Sequence, residues 1–410
     1  MPRTTPKPVL LLLSLPLLLS ACAAPAAPPG AQLSASTPHG YVAGAQENPE
    51  PQAGLLTLNA GTGEGQLLSL LTEEASDAGT YGPVTAAQVD GRYALLTTAA
   101  GVQVFDTGAW TVDHGEHRHY YSAPPGPVGT LAVPDAGAVA GDGKSIAVFS
   151  PSGGYASVYR HKDLDAGSVA EAFRITTSPH SGMVVPYAGH FIASVAGSSA
   201  GSSAGDPAAA GGVEVRDASD AVVLGRQDCA GLAGHAYVRA GVVFACADGA
   251  LLVTGDDGAF AAEKIPYPDG GAGLPPATSL GHRPGSNELA GPAGGSGIWH
   301  LDVAKRTWTY LPTPVPAVAA AAVGDGKRVL AAGVDGSVLA LNTATGGVTA
   351  RAALLAPAFA RHPQLRIDTS RAYVSEPARS RVHEIDYADG LRIARTFDVP
   401  AADFLLETGL

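Results

Sequence analysis

Between Val112 and Pro127 the chain reads VDHGEHRHYYSAPPGP, which sets His114, His117 and His119 beside the carboxylates of Asp113 and Glu116 just ahead of a run of prolines. Three of the chain's 12 histidines lie there. Neutral imidazole is the commonest protein ligand for zinc and also suits copper, and a short histidine-rich tract binds metal without a preformed cage. The H-x-x-H-x-H spacing supplies no i, i+4 helical register and no flanking apolar core, so it predicts a mobile loop over residues 113–121. Residue types alone leave two readings open, metal capture and a solvated polar turn.

The elements that could carry such a tract follow from internal repetition. A short apolar strand, a glycine turn, a second strand often ending in Asp, another turn and a third strand recur along the chain. The pattern is clear in RYALLTTAAGVQVFDTGAWTVD from Arg92, HFIASVAG and GVEVRDASDAVVLG from His190, GVVFACADGALLVTGDDGAF from Gly241, KRVLAAGVDGSVLALNTATGGV from Lys327 and RAYVSEPARSRVHEIDYADGLRIARTF from Arg371. Weaker copies begin at Gly40, Lys144 and Asn287. Spaced about 46 residues apart and almost free of helical periodicity, these copies predict an all-β fold, a β-propeller of seven or eight four-stranded blades with eight favoured. Small-residue segments upstream of the copies, such as Val84 to Asp90, Gly182 to Tyr187 and Ala317 to Val323, are the expected innermost strands around a channel. The first copy has no such segment, and the C-terminal AADFLLETGL has no other place. Phe404 to Glu407 is therefore predicted to close the ring as the inner strand of the first blade.

The repeat also sorts the other histidines. His180, His235, His282 and His362 each fall just before, or at the start of, an inner-strand segment, which predicts a common radius and face at the channel mouth. Any three of them with a carboxylate or water would complete tetrahedral zinc coordination; the alternative is four ordinary loop histidines. His300 and His383 on third strands, and His190 at the start of a second strand, read as structural.

At the N-terminus, Arg3 and Lys7 precede the apolar run Val9 to Leu19, and Leu19-Ser20-Ala21-Cys22 follows. This predicts a lipoprotein signal over residues 1–22 with lipid on Cys22, a flexible leader over 23–39, and a single propeller domain over 40–410 held outside the cytoplasm. In that compartment Cys229 and Cys246 are expected to form a disulfide, a soft metal site being the alternative. The net charge of -12 and the lack of a basic stripe argue against nucleic acid as a partner. Gly197 to Gly212 reads as a flexible insertion between two strands. No strand-to-helix nucleophile elbow and no dinucleotide-binding context occur.

The tract DHGEHRHYY, the segment PHSGMVVPYAGHFIAS, the two-cysteine segment CAGLAGHAYVRAGVVFACADGALLVT and the closing VHEIDYADGLRIARTF together resemble the extracytoplasmic zinc metallochaperones of the AztD type, encoded with zinc ABC importers. The resemblance runs over most of the chain beyond the leader. It implies a β-propeller that binds Zn2+ and hands it to the solute-binding protein of the importer. It further implies a histidine loop, His114, His117 and His119, that captures or relays zinc, and a better-formed site on the propeller that includes His180. In the family pattern a His-Gly-Glu-Ala sequence follows the first cysteine, whereas this chain has Leu232-Ala233-Gly234-His235-Ala236. That ligand is either replaced by His235, two positions on, or lost.

The expected function is zinc transfer without catalysis, with membrane contact through the lipid anchor alone. Two alternatives stand beside it. A propeller enzyme, a lyase or a quinone-dependent dehydrogenase, would need a general base and arginines around the axis, or a tryptophan-rich cofactor cavity, and the chain has 3 tryptophans. A metal-free binding scaffold would use the channel histidines only for hydrogen bonding.

Overall fold

Runs such as Tyr93–Thr98 (YALLTT) and Gly241–Cys246 (GVVFAC) are buried at every position, as expected of β-branched and aromatic strands covered on both faces. The computed structural model describes residues 1–2, 40–197, 208–271, 273–295, 297–357, 362–400 and 402–410. The signal segment from residue 3 on, with Cys22, the whole leader and most of the predicted insertion after Gly197 lie outside the described residues. Residues from His39 onward form a unit of their own.

Within that unit the strands form short antiparallel meanders. In one of them Gly234–Val238, Gly241–Cys246, Gly249–Asp256 and Ala259–Pro266 pair in chain order. The last strand alternates between exposed and covered positions while the second is wholly buried, so neighbouring sheets sandwich the middle of each meander and leave its outer edge to solvent. Gly249 shows why glycine opens such strands: its φ is +142°, and a Cβ there would stand 2.2 Å from the carbonyl oxygen of Ile265.

Among the described residues seven four-stranded sheets of this kind occur, with an eighth built from Glu288–Pro292, Gly297–Asp302 and Thr307–Pro312. The inner edge of the eighth is a short segment in which the Thr278 N–H donates to Pro292 O and Gly281 exchanges backbone bonds with Ala290. The fold is a β-propeller. The expected inner strands are present as Val84–Asp90, Val184–Tyr187 and Ala317–Ala322. The C-terminal strand Phe404–Thr408 pairs residue for residue with Gly54–Leu58. Ala210 to Gly212, expected in a flexible insertion, instead begin the strand Ala210–Arg216, because their backbone pairs with Val195 and Ala196.

Cys229 and Cys246 form a disulfide and both are buried. It ties the turn before Gly234–Val238 to the end of the following strand, and closing a loop of this length contributes about 3 kcal/mol in the chain-entropy model.

The histidine tract departs from expectation. It is a β-hairpin, Ala109–Asp113 with Arg118–Ser122, inserted between the strands Gly101–Asp106 and Gly126–Leu131, and Gln46–Asn48 joins it as a third strand. Its apolar support, absent from the flanking sequence as an aliphatic run, is aromatic. Tyr121 is fully buried and stacks on Trp110 at 5.4 Å between centroids, and the guanidinium of Arg92 covers the other ring system at 4.2 Å from the Trp110 centroid. Only the residues between Asp113 and Arg118 form a turn.

Candidate functional site

The hairpin register brings the three imidazoles of the tract together. The His114 N–H donates to the His117 carbonyl at 3.0 Å across the turn, and His119 follows on the returning strand opposite Val112. The three rings are mutual neighbours, with centroids 5.4 Å (His114 to His117), 5.2 Å (His114 to His119) and 4.8 Å (His117 to His119) apart. Nε2 of His117 and Nε2 of His119 approach to 3.0 Å. Two nitrogens bound at about 2.0–2.1 Å to one tetrahedral zinc ion stand roughly 3.3 Å apart, so a small opening of this pair admits the ion.

On the far side of its ring, His119 Nδ1–H donates to the Glu47 carboxylate at 2.6 Å. With Nδ1 turned to that carboxylate, Nε2 of His119 is the nitrogen that faces Nε2 of His117. Asp113, at the base of the turn, is held below its ordinary carboxylate range by the Gly115 N–H and by Arg118. Among the described residues no group of three or more His, Cys, Asp or Glu is arranged to hold a metal ion; the hairpin trio is a set of neighbouring imidazoles, two of whose nitrogens face each other.

The four histidines expected at the channel mouth separate into different environments. His180 is fully buried. Its Nδ1–H donates to Ser178 O at 2.6 Å, and Ser194 Oγ–H donates to its Nε2 at 2.7 Å while Ser194 Oγ accepts the Met183 N–H at 2.8 Å. Both ring nitrogens are thus committed, and the side chain braces the turn into Val184–Tyr187. His362 is exposed, ahead of Leu365–Ile367.

His235 and His282 are close enough for the charge of one to act on the other. His235 lies within its inner strand, opposite Phe244. His282 comes at the end of its own inner segment, since Thr278 to Gly281 form the pairing and the turn follows. The assumption of equal phase therefore fails for His282, yet its Nε2–H reaches back to donate to Tyr237 O at 2.8 Å, which carries it to the neighbouring strand. Burial, reinforced by His282, pulls His235 down to about 4, and burial lowers His282 against the pull of the Tyr237 and Leu280 carbonyls. Both imidazoles are neutral at neutral pH.

Two channel residues escaped the sequence reading. Glu407, on the C-terminal strand, is pushed up to about 8 by burial and by Asp368, against the attraction of Arg366. Arg366, on Leu365–Ile367, is itself lowered by burial and donates to Gln364 Oε1 at 3.1 Å and to Leu365 O at 3.2 Å. Glu407 keeps its proton to about pH 8 when folded and loses it near its ordinary 4.5 when unfolded. The folded state holds the extra proton between these values, so this group's contribution to stability falls as pH rises from 4.5 to 8. His235 acts in the opposite sense lower down, where stability grows as pH rises from about 4 to 6.5. Glu407→Gln is accordingly expected to raise the thermal midpoint over wild type at about pH 8 and to give little gain at about pH 4.5. An equal shift at both pH values in calorimetry would contradict a carboxyl that titrates in that window.

The hairpin and the channel face border the same space. A cleft of about 350 Å³ lies between Thr111, Asp113 and Arg118 of the hairpin and Arg283, Asp368 and Leu410 of the propeller. Arg283 follows His282 in the chain, and the charge of Asp368 acts on Glu407. The Thr111 hydroxyl donates to Gly409 O at 3.1 Å, fixing the hairpin over this face.

The histidines read as structural are engaged locally. The His190 Nδ1–H donates to Ala188 O at 3.2 Å and its ring meets Phe260 edge-on. His383 bridges Thr396 and Glu376 at 3.1 Å each, and His300 is buried 3.4 Å from Glu288.

The described residues thus define a β-propeller with a histidine-tipped hairpin over one face of its channel. The chain is of the AztD type in fold: it matches apo AztD from Citrobacter koseri with a TM-score of 0.75 and 18% identity, covering 88% of this chain and 98% of that one. A further crystal structure of Citrobacter koseri AztD gives a TM-score of 0.73 and 18% identity over 88% of this chain and 99% of the other. The dihydro-heme d1 dehydrogenase NirN in complex with DHE is more distant, with a TM-score of 0.55 and 12% identity over 88% and 76%, so the architecture also carries an enzyme. No protein-family model and no curated protein matches the sequence.

Proposed function

We propose that this chain binds Zn2+ outside the cytoplasm and passes it to the solute-binding protein of a zinc ABC importer, tethered by a lipid on Cys22 and performing no catalysis. The observation that carries the proposal is the approach of the His117 and His119 Nε2 atoms to 3.0 Å, with the His114 ring beside both. Imidazole nitrogens at that separation suit a tetrahedral ion, and the fourth position stays open for an incoming ligand. A site at the tip of a hairpin is open to an acceptor. It can lose one ligand to that acceptor before the others let go, which lowers the barrier that a closed site would impose.

The scaffold in this reading is an eight-bladed ring closed by Phe404–Thr408 against Gly54–Leu58. The likeness to AztD supports the reading through fold, and the nitrogen set supports it through chemistry.

The test is direct transfer. Zinc-loaded protein is mixed with a metal-free solute-binding protein of a zinc importer, and zinc in the acceptor is followed over time. Transfer faster than zinc release to an inert chelator at equal concentration is the expected result. Transfer at the chelator's rate, or protein that takes up no zinc, would overturn the proposal.

A further inference from the structure

We infer that Glu47 is a positioning residue for the hairpin metal site, holding the His119 ring so that its Nε2 faces the ion. This rests on the zinc reading of the hairpin and assigns a role to a segment far away in sequence. The strand Gln46–Asn48 pairs antiparallel with Arg118–Ser122, placing Glu47 opposite Tyr121. Side chains alternate between the faces of a strand, so Tyr121 and His119 share one face and Glu47 lies diagonally across from His119 on it. The rings of His119 and Tyr121 lie nearly parallel, 6.1 Å apart, which limits how His119 can turn.

The geometry separates a positioning role from a ligating one. The Glu47 carboxylate sits 2.6 Å from Nδ1, and the His117 nitrogen sits 3.0 Å from Nε2. These atoms lie on opposite sides of the imidazole, so a metal shared by His117 and His119 binds away from Glu47. A carboxylate accepting the Nδ1 proton fixes the tautomer that presents a lone pair at Nε2 and raises the basicity of that nitrogen, and loss of such a partner typically weakens metal binding about 10- to 100-fold. Metal affinity at the hairpin tip is thereby linked to the strand that enters the propeller from the leader.

Co2+ is a suitable probe because its tetrahedral complexes absorb in the visible, and the hairpin signal is the part of the spectrum lost when His114, His117 and His119 are all replaced by Ala. Glu47→Ala is expected to weaken Co2+ at that signal roughly 10- to 100-fold. Glu47→Gln, whose amide oxygen still accepts the Nδ1 proton, should lose less and keep the band position, and Glu47→Asp should recover part of the loss. Asn48→Ala removes the bond from Asn48 to Ser122 Oγ, 3.0 Å long, and so loosens the same strand without touching His119; it should bind nearly as wild type does. Wild-type affinity in Glu47→Ala overturns the inference, as does an equal loss in Asn48→Ala or a shifted band in Glu47→Gln, which would mark Glu47 as a ligand. If the triple histidine variant has the same Co2+ spectrum as wild type, the hairpin holds no metal and the zinc reading itself falls.

Discussion

A chain cut before Asp403 is expected to lose cooperative folding. The missing strand Phe404–Thr408 brings two buried leucines that face opposite ways. Leu405 packs with Leu55, Tyr373, Val382 and Phe397, whereas Leu406 packs with Leu56, Leu58, Val84 and Leu96. One leucine therefore joins the first sheet to the last, and the other joins it to the second. Burying two such side chains contributes about 3–6 kcal/mol, and the deletion also strips the backbone partners of Gly54–Leu58. Net stabilities of about 5–15 kcal/mol leave little margin for that loss. Leu406→Ala alone should cost about 2–5 kcal/mol and remain folded. Denaturant unfolding followed by near-UV circular dichroism measures both, and a truncated protein with the wild-type midpoint would show that the C-terminal strand is dispensable.

The joint replacement of His114, His117 and His119 by Ala should remove one bound zinc per chain and leave the fold intact. The imidazoles project from the tip of a hairpin whose anchoring lies elsewhere, in Trp110, Tyr121 and the bond from the Trp110 indole N–H to Gly40 O at 3.1 Å. Unfolding should therefore hardly change. His119→Ala alone should cost more than the roughly 10- to 100-fold expected for a residue acting through a ligand, since it removes a donor outright. His190→Ala, at a histidine held by Ala188 and Phe260, is the control and should bind zinc as wild type does. Competition titration against a chromophoric chelator reads all three variants, and unchanged stoichiometry in the triple variant would refute the assignment.

The propeller was legible because its signal repeats: each copy carries buried runs and glycine turns in the same order, and several short strands at a period of about 46 residues are what stacked blades require. The histidine tract was legible in composition but not in shape. Arg118 to Ser122 is rich in charge and aromatics without apolar alternation, and one of its two strand partners, Gln46–Asn48, lies far back in the chain. The end position of His282 in its segment is hidden because ATSLGH has no β-branched alternation, and its pairing reduces to a few bonds around Thr278 and Gly281. Serine hydroxyls and carbonyls decide the fate of a buried histidine, and nothing around His180 in sequence shows that Ser194 will reach it. Glu47, Arg366 and Glu407 gave no signal because charged residues on short strands are ordinarily solvated. Their significance comes from which strands become neighbours once the sheets assemble.

Zinc at the hairpin tip is tested most directly by crystals grown with one equivalent of the metal and measured on both sides of the zinc absorption edge, which locate the ion itself. The predicted result is an anomalous difference peak within coordination distance of His117 Nε2 and His119 Nε2, with His114 as third ligand and the Glu47 carboxylate on the outer side of the His119 ring. A peak only in the channel, or none near the hairpin in zinc-loaded crystals, would contradict it.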